Sequence, residues 1–300
     1  MPRTNSRQYF LLLLVAAAAF VVTGTACAGT TTRTFVVPHD DLRQSGATAL
    51  AMSIDLYGAT GTIIPTQDPI AVLRATVTYG DTEQEPALIA GVDNATFTVT
   101  MTSGSAAPNG SAVSQWDIRV STVYTVPTDL TLSCSSSTLS ADLGGLPLRS
   151  CVMVLQSSSL NADWRIPVQD RVQVLVVAAR ASSVLLNHLG NTNFEACGLI
   201  CATSPVQCTF AGNFAAGDHS LTAIQIGAQA DIVIPEQVGA RITMHPLLSR
   251  IQVADNGWQQ HRRLPFSTVY LTNDYSTQDI TVTMDFTAIA TQVSLMREPR

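Results

Sequence analysis

Apolar and polar positions alternate along most of the chain, in runs too short for helices. Leu50, Met52, Ile54 and Leu56 alternate with small or polar residues, and residues 280–286 repeat the pattern. A period of two residues is typical of a strand with one buried face, and no long amphipathic helical pattern is present. The sequence therefore predicts an all-β fold.

A second, longer period runs through the C-terminal two thirds of the chain. A corner of small residues followed by apolar residues occurs in Ser135–Leu139, recurs in Ser157–Leu160, and then continues toward the C-terminus. The corners are centred on residues 136, 158, 182, 204, 228 and 248. A period of about 22 residues over six units indicates a solenoid, in which each unit buries its apolar face against the next. We therefore predict that Leu139, Leu160 and Ile232 point inward. Evenly spaced hairpins of a β-sandwich are the alternative.

The region before residue 116 lacks this longer period. Residues 103–114 form a polar segment with Gly and Pro, which favours a boundary there. We predict an N-terminal small β domain at 33–115 and a β-solenoid or β-roll-like array of repeats at 116–296.

The N-terminus has the three parts of a secretory signal. Arg3 and Arg7 precede an uninterrupted apolar run from Tyr9 to Val22, and small residues follow. Cleavage after an A-x-A site gives a signal peptide of residues 1–28. A lipoprotein signal ending at residue 26, with Cys27 lipidated, is the second possibility, and an uncleaved anchor is the third. All three place the body of the protein outside the cytoplasm, at the cell envelope or secreted.

Composition excludes several kinds of function. All 16 basic residues are arginine, so a lysine Schiff base and a P-loop lysine are ruled out. The formal net charge is −6, whereas nucleic-acid binding by counterion release needs a basic surface. The predicted partners are a protein or glycan of the cell envelope or surface, with no nucleic acid. Membrane association is expected only through the N-terminus, if the N-terminus is lipidated or uncleaved.

Aspartates are the residues with most potential for chemistry. Four aspartates fall near similar places in their repeats: Asp142, Asp163, Asp231 and Asp255. Stacked as a ladder, they could bind Ca²⁺ or supply the paired acids of a carbohydrate-active enzyme. Their offsets from the repeat centres differ, and the Gly- and Asp-rich calcium motif of β-rolls is absent. We interpret them as solvated turn residues and assign no catalytic residue, cofactor or metal ligand. The chain is predicted to be non-enzymatic, with a polysaccharide lyase or hydrolase as the alternative.

Histidines and cysteines add little to this prediction. Five histidines lack metal-ligand spacing and are expected at the surface or in turns: His39, His188, His219, His245 and His261. The group Cys197, Cys201 and Cys208 could suggest a metal, but disulfides are permitted outside the cytoplasm, and a disulfide within this group is the favoured prediction.

Three stretches resemble bacterial toast-rack proteins. They are "ALAMSIDLYGATGTIIPTQ" with "AVLRATVTYG", "VPTDLTLSCSSSTLSADLGGLPL", and "ARITMHPLLSRIQVADNGWQQ" with "ITVTMDFTAIATQVSL", and the resemblance covers about residues 45–296. Similar proteins include the C-terminal domain of LiaF-type proteins, described as cell wall-active antibiotic response proteins, and surface adhesins built on β-repeats. The resemblance implies an exported adhesin-like scaffold or an envelope-stress accessory protein.

Overall fold

The computed structural model describes residues 30–80, 85–104, 114–254, 257–264 and 266–298, and it confirms an all-β, solenoid-like fold. Two large sheets of 11 and 12 strands, here called sheet A and sheet B, face each other. In spatial order, sheet A contains β1 (Thr31–Pro38), β4 (Ala71–Tyr79), β7 (Ser114–Ser121), β3 (Ala59–Thr66), β9 (Thr138–Asp142), β11 (Ser159–Asp163), β13 (Ser183–Asn187), β15 (Val206–Thr209), β17 (Gln229–Pro235), β23 (Gln292–Glu298) and β19 (Arg250–Val253). In the reverse direction along the stack, sheet B contains β20 (Trp258–Leu264), β21 (Ser267–Thr272), β18 (Gly239–Leu247), β22 (Ile280–Ile289), β16 (Gly217–Ile226), β14 (Ala196–Ala202), β12 (Val174–Arg180), β10 (Leu148–Gln156), β8 (Thr128–Ser135), β2 (Ala49–Tyr57), β6 (Thr96–Thr102) and β5 (Ala87–Asp93).

Helices are few and short. The α-helix α1 (His39–Ser45) follows β1. Two 3₁₀ helices, Leu189–Thr192 and Tyr275–Thr277, lie in loops. Among the described residues, none of the helices has the length and apolar character needed to cross a membrane. The predicted signal segment and Cys27 lie outside the described residues.

One coil of the solenoid consists of a strand in sheet B, a two-residue corner, a strand in sheet A and a loop. β8 and β9 form such a coil, and β10 and β11 form the next. Successive coils stack in parallel, so that β10 pairs with β8 and β11 pairs with β9. Each coil thereby hydrogen-bonds to both neighbours through two sheets, as a solenoid requires.

The first residue of each corner has a left-handed backbone. Ser136, Ser157, Ala181 and Thr203 have φ between 50° and 51°, a conformation that costs energy for residues with a Cβ atom. Their N–H groups are all used: that of Ser136 donates to the carbonyl of Gln156 at 2.9 Å, and the same bond repeats at each following corner. A ladder of backbone hydrogen bonds therefore offsets the strain.

At four successive corners the second residue is a buried serine, and these serines form a column through the stack. We call Ser137, Ser158, Ser182 and Ser204 the serine column. Ser137 N–H donates to Ser158 Oγ at 3.1 Å, and Ser158 N–H donates to Ser182 Oγ at 3.1 Å. Each hydroxyl in turn donates to the carbonyl two residues before it, as Ser158 does to Gln156 O at 2.8 Å. The run Ser157–Ser159 thus consists of one strained residue, one buried residue and one exposed residue.

Inward-facing side chains of both sheets form one hydrophobic core. Leu139, Leu160 and Ile232 are buried with 1%, 1% and 4% of their surface exposed, which confirms the predicted inward orientation. The core continues from Phe35 at one end of the chain to Leu295 at the other. The predicted boundary between 115 and 116 falls within β7, and both sheets run across it, because β2 pairs with β8 and β3 pairs with β9. The division into two domains stays a prediction, and neither sheet is interrupted at this position.

Coils at both ends of the stack are out of chain order. β22 and β23 come last in the sequence, yet β22 lies between β16 and β18, and β23 lies between β17 and β19. At the other end, β2 lies between β6 and β8, although β6 comes between them in the chain. Antiparallel strands then complete both ends: β20 and β21 beyond β18, β5 beyond β6, and β1 and β4 beyond β7.

Candidate functional site

The structure brings two of the candidate aspartates together. Asp142 ends β9 and Asp163 ends β11, and the two residues are direct partners in the parallel ladder. Asp163 accepts a hydrogen bond from Arg165 Nε at 3.0 Å, and its other oxygen lies 2.7 Å from His188 Nδ1. Asp142 accepts from the backbone N–H of Gly144 at 3.1 Å. We call these four side chains, Asp142, Asp163, Arg165 and His188, the acidic cluster.

Electrostatics in the acidic cluster do not suit acid catalysis. Partial burial pushes the pKa of Asp163 upward, but hydrogen bonds and charges from His188 and Arg165 outweigh it, so the pKa lies below its ordinary value. The same contact with Asp163 raises the pKa of Arg165. A glycosidase acid needs a raised pKa to hold its proton at neutral pH. Asp163 is instead an ionised residue neutralised by its neighbours.

The remaining candidate aspartates do not join this cluster. Asp231 pairs in register with Gln207 and Ser294, in the outward-facing row next to the one that contains Asp142 and Asp163. Its carboxylate accepts a hydrogen bond from Gln229 Nε2. Asp255 lies outside the described residues. In the described part of the chain, no group of three or more His, Cys, Asp or Glu side chains could hold a metal ion. The hypothesised four-residue ladder is therefore wrong for Asp231.

The outer face of sheet A is polar and regular. Its middle row consists of Ser140, Asn161, Leu185, Gln207, Asp231, Ser294 and Gln252, one from each of seven successive strands. Parallel strands are about 4.8 Å apart, so the row spans about 29 Å. Its side chains carry hydroxyl, amide or carboxylate groups, except for the aliphatic Leu185 between Asn161 and Gln207. Asn187 Nδ2 donates to Asn161 Oδ1 at 3.1 Å, which fixes part of the surface. We call this surface the polar face.

The outer face of sheet B is different in character. Six aliphatic side chains with 38–59% of their surface exposed define what we call the aliphatic patch: Val154, Val174, Ile200, Ile224, Ile226 and Leu247. Val154, Ala178, Ile200 and Ile224 are ladder partners and form one continuous row across β10, β12, β14 and β16. On these four strands the charged residues stand at or near the strand ends, as Arg149, Arg180 and Asp218. The alternation of apolar and polar residues does not predict this patch. It predicts a polar outer face, because the outward positions of the other sheet B strands are mostly polar.

Histidines fill mainly structural places. His219 is buried, with Nδ1 2.8 Å from Phe194 O and its ring against Phe194 and Phe214, so the expected surface position is wrong for this residue. The burial follows from its inward parity on β16. His39 Nε2 lies 3.2 Å from Asp68 O, and His245 lies 3.1 Å from Asp285. His261 is exposed on β20.

All five described cysteines are buried free thiols: Cys134, Cys151, Cys197, Cys201 and Cys208. The predicted disulfide is thus absent from the structure. Cys197 and Cys201 are four residues apart on one strand, about 13 Å, and a disulfide requires their Cα atoms to lie within about 7 Å. Burial raises the pKa of Cys134 to about 12 and that of Cys201 to about 11, which makes these thiols poor nucleophiles.

One open groove lies beside α1. It has a volume of about 460 Å³, and His39, Arg43, Tyr124 and Val126 line it. Burial raises the pKa of Tyr124, so its phenol stays neutral. The groove does not include any residue of the acidic cluster. It has the size of a ligand site but no paired carboxylates or activated nucleophile.

Comparison with known proteins gives distant likenesses. No family model matches the chain, and no curated protein matches its sequence. The chain is similar to a solved structure of a proposed cell adhesion protein from Clostridium sporogenes ATCC 15579, at 13% identity and a TM-score of 0.46, over 90% of this chain and 100% of that chain. It is also similar to a proposed adhesin from Bacteroides fragilis NCTC 9343, at 8% identity and a TM-score of 0.38, over 89% of this chain and 96% of that chain. A proposed adhesin from Parabacteroides merdae ATCC 43184 has 7% identity and a TM-score of 0.33, over 89% and 95%. These neighbours are described as adhesins, which is one of the two families that the sequence resembles. No family model matches the other, the toast-rack and LiaF family.

Proposed function

We propose that this chain is an exported, non-enzymatic protein of the bacterial cell envelope that acts as an adhesin-like scaffold. The observation that carries the proposal is the polar face, where hydroxyl, amide and carboxylate groups repeat along a rigid stack of strands. A flat regular surface of this kind binds an extended polymer through many weak contacts. Such binding needs no single reactive group.

The polar face suits a glycan or an extended polypeptide of the cell surface. Asn161, Gln207 and Gln252 are exposed amides in one row, and each offers both hydrogen-bond donors and acceptors. The backbones of Asn161 and Gln207 are held by strands on both sides, and that of Gln252, on the edge strand β19, is held by β23, so little further ordering is needed when a ligand binds. Specificity would come from matching the ligand's own repeat to the strand spacing.

A polysaccharide-cleaving enzyme is the competing hypothesis, and the Asp142–Asp163 pair beside Arg165 is the observation that favours it. Two features weigh against it. The lowered pKa of Asp163 makes that residue unsuited to donate a proton, and the groove beside α1 lies away from the pair. We therefore expect Asp142→Asn and Asp163→Asn to leave binding to cells unchanged.

The test measures retention of the purified protein on whole cells and isolated cell walls. The triple variant Asn161→Ala, Gln207→Ala and Gln252→Ala should lower retention several-fold. Gln156→Ala on the outer face of sheet B is the matched control, because it removes an exposed amide from the other sheet. Equal retention of both variants would refute the role of the polar face. A parallel screen for polysaccharide cleavage decides the enzyme hypothesis: turnover lost in either Asp→Asn variant would establish it.

Export has its own test. Mass spectrometry of the mature protein from its native host should show loss of residues 1–28, or of residues 1–26 with a lipid on Cys27. An intact Met1 in a cytosolic fraction would contradict export.

A further inference from the structure

The aliphatic patch is an exposed surface that the proposed function does not use. It lies on sheet B, opposite the polar face, and its central residue Ile200 is 54% exposed. Single exposed aliphatics are ordinary, but a contiguous apolar row across four strands marks an interaction site on a soluble protein. The question is which partner fits it.

Charge and composition argue against a membrane and against a sugar. The chain carries a net charge of −6, which disfavours an anionic lipid surface, and the exposed charges at the margin of the patch are of both signs: Arg180, Asp218 and Asp285. Sugars are recognised through hydrogen bonds to polar side chains or by stacking on aromatic rings, and the patch residues are all aliphatic. A flat aliphatic surface with polar margins is instead the composition of a protein–protein interface.

We propose that the aliphatic patch is the interface of a homodimer, in which sheet B of one copy packs face to face on sheet B of a second copy. The patch complements itself under a twofold axis that runs parallel to the strands between β12 and β14. That axis places Ala178 opposite Ile200 of the second copy, and Val154 opposite Ile224 of the second copy. It also brings Asp55 on β2 opposite His245 on β18. Aliphatic side chains therefore meet aliphatic side chains, and an acid meets a histidine at the margin.

The available area is close to what a stable dimer needs. Eight strands from β2 to β18 span about 34 Å at 4.8 Å per step, and seven residues along a strand span about 20 Å. Their product is about 700 Å² per copy, compared with about 800 Å² per partner in a standard interface. Packing of two sheets face to face at about 10 Å is a common arrangement of sheets.

The test combines a disruptive substitution with directed crosslinking. Sedimentation equilibrium of the mature protein should show a dimer at micromolar concentration. Ile200→Asp should weaken the dimer more than about 30-fold, because it buries a charge at the centre of the interface. Gln207→Asp adds the same charge to the exposed polar face and should leave the dimer unchanged, and circular dichroism checks that both variants fold.

Crosslinking tests the twofold axis itself. Val154→Cys and Ile224→Cys lie three strands apart within one chain but face each other across the proposed interface. Sheets packed about 10 Å apart are too distant for a disulfide, so a short bifunctional maleimide is the crosslinker. Its reaction with a mixture of the two variants should give a covalent dimer that neither variant gives alone. A monomeric protein at about 100 μM, or a dimer that tolerates Ile200→Asp, would overturn the proposal. Binding of the monomer to vesicles, either anionic or of neutral phosphatidylcholine, would assign the patch to lipid instead if Ile200→Asp abolishes that binding.

Discussion

Removing one hydroxyl from the serine column should destabilise the protein measurably. Ser158 Oγ accepts the N–H of Ser137 at 3.1 Å, and its single proton can go to Gln156 O at 2.8 Å or Cys134 O at 3.0 Å. Ser137 is itself buried, with 4% of its surface exposed. Ser158→Ala therefore leaves a buried N–H without its acceptor. An unsatisfied buried group of this kind costs about 1–3 kcal/mol, so we expect the free energy of unfolding to fall by that amount.

Urea titration followed by circular dichroism measures the loss. Ser159→Ala is the matched control, since Ser159 is the next residue and is exposed; it should change stability by less than about 0.5 kcal/mol. Ser158→Thr should retain more stability than Ser158→Ala, because Thr291 already fills the same place after Ala290 and donates to Ile289 O at 2.9 Å. Equal midpoints for Ser158→Ala and Ser159→Ala would show that the column does not stabilise the corners.

Three further predictions concern the core, the acidic cluster and the thiols. Leu139→Ala should cost about 2–5 kcal/mol in the same titration, because Leu139 is buried, while Val154→Ala on the outer face should cost much less; similar losses would misplace the core. The folded pKa of Asp163 lies below its unfolded value, so its contribution is complete above the unfolded pKa and is lost as pH falls through the folded pKa. The stability difference between the wild type and Asp163→Asn should accordingly shrink as pH falls through the folded pKa of Asp163, and a difference that grows on acidification would contradict the ion pairs. A thiol reagent at pH 8 should react slowly with the five buried cysteines of the native protein and rapidly with all five in denaturant, whereas fewer than five reactive thiols in denaturant without reductant would reveal a disulfide.

The coil pattern could be predicted from sequence because burial and corner geometry repeat together. Small residues mark most corners, with Leu248 as an exception, and apolar residues alternate along most strands, so the period appears directly in the residues. The registration of Asp142 with Asp163 was also within reach. Asp142 is six positions after the left-handed residue Ser136, and Asp163 is six positions after the left-handed Ser157, counting from 136 to 142 and from 157 to 163. If one repeat is centred on Ser136 and the next on Ser158, Asp142 and Asp163 fall at different offsets from their centres, and the match is hidden.

The order of coils at the two ends could not be predicted from the same pattern. Inward positions on β16, β18 and β22 carry similar apolar residues, such as Leu221, Ile242 and Met284. Any of these strands could therefore lie beside any other without changing the burial of its side chains. Only the full three-dimensional packing of loops and terminal hairpins distinguishes the alternatives.

The exchanged coils at the C-terminal end bear on how the protein would respond to pulling force. β23 is the last strand of the chain, and it is hydrogen-bonded to β17 on one side and to β19 on the other. In a solenoid built in simple chain order, tension on the C-terminus would peel off a terminal coil by opening one ladder at a time. Here the same tension must open two ladders together before the chain can extend. A protein that holds a cell to a surface under flow would gain mechanical resistance from this arrangement.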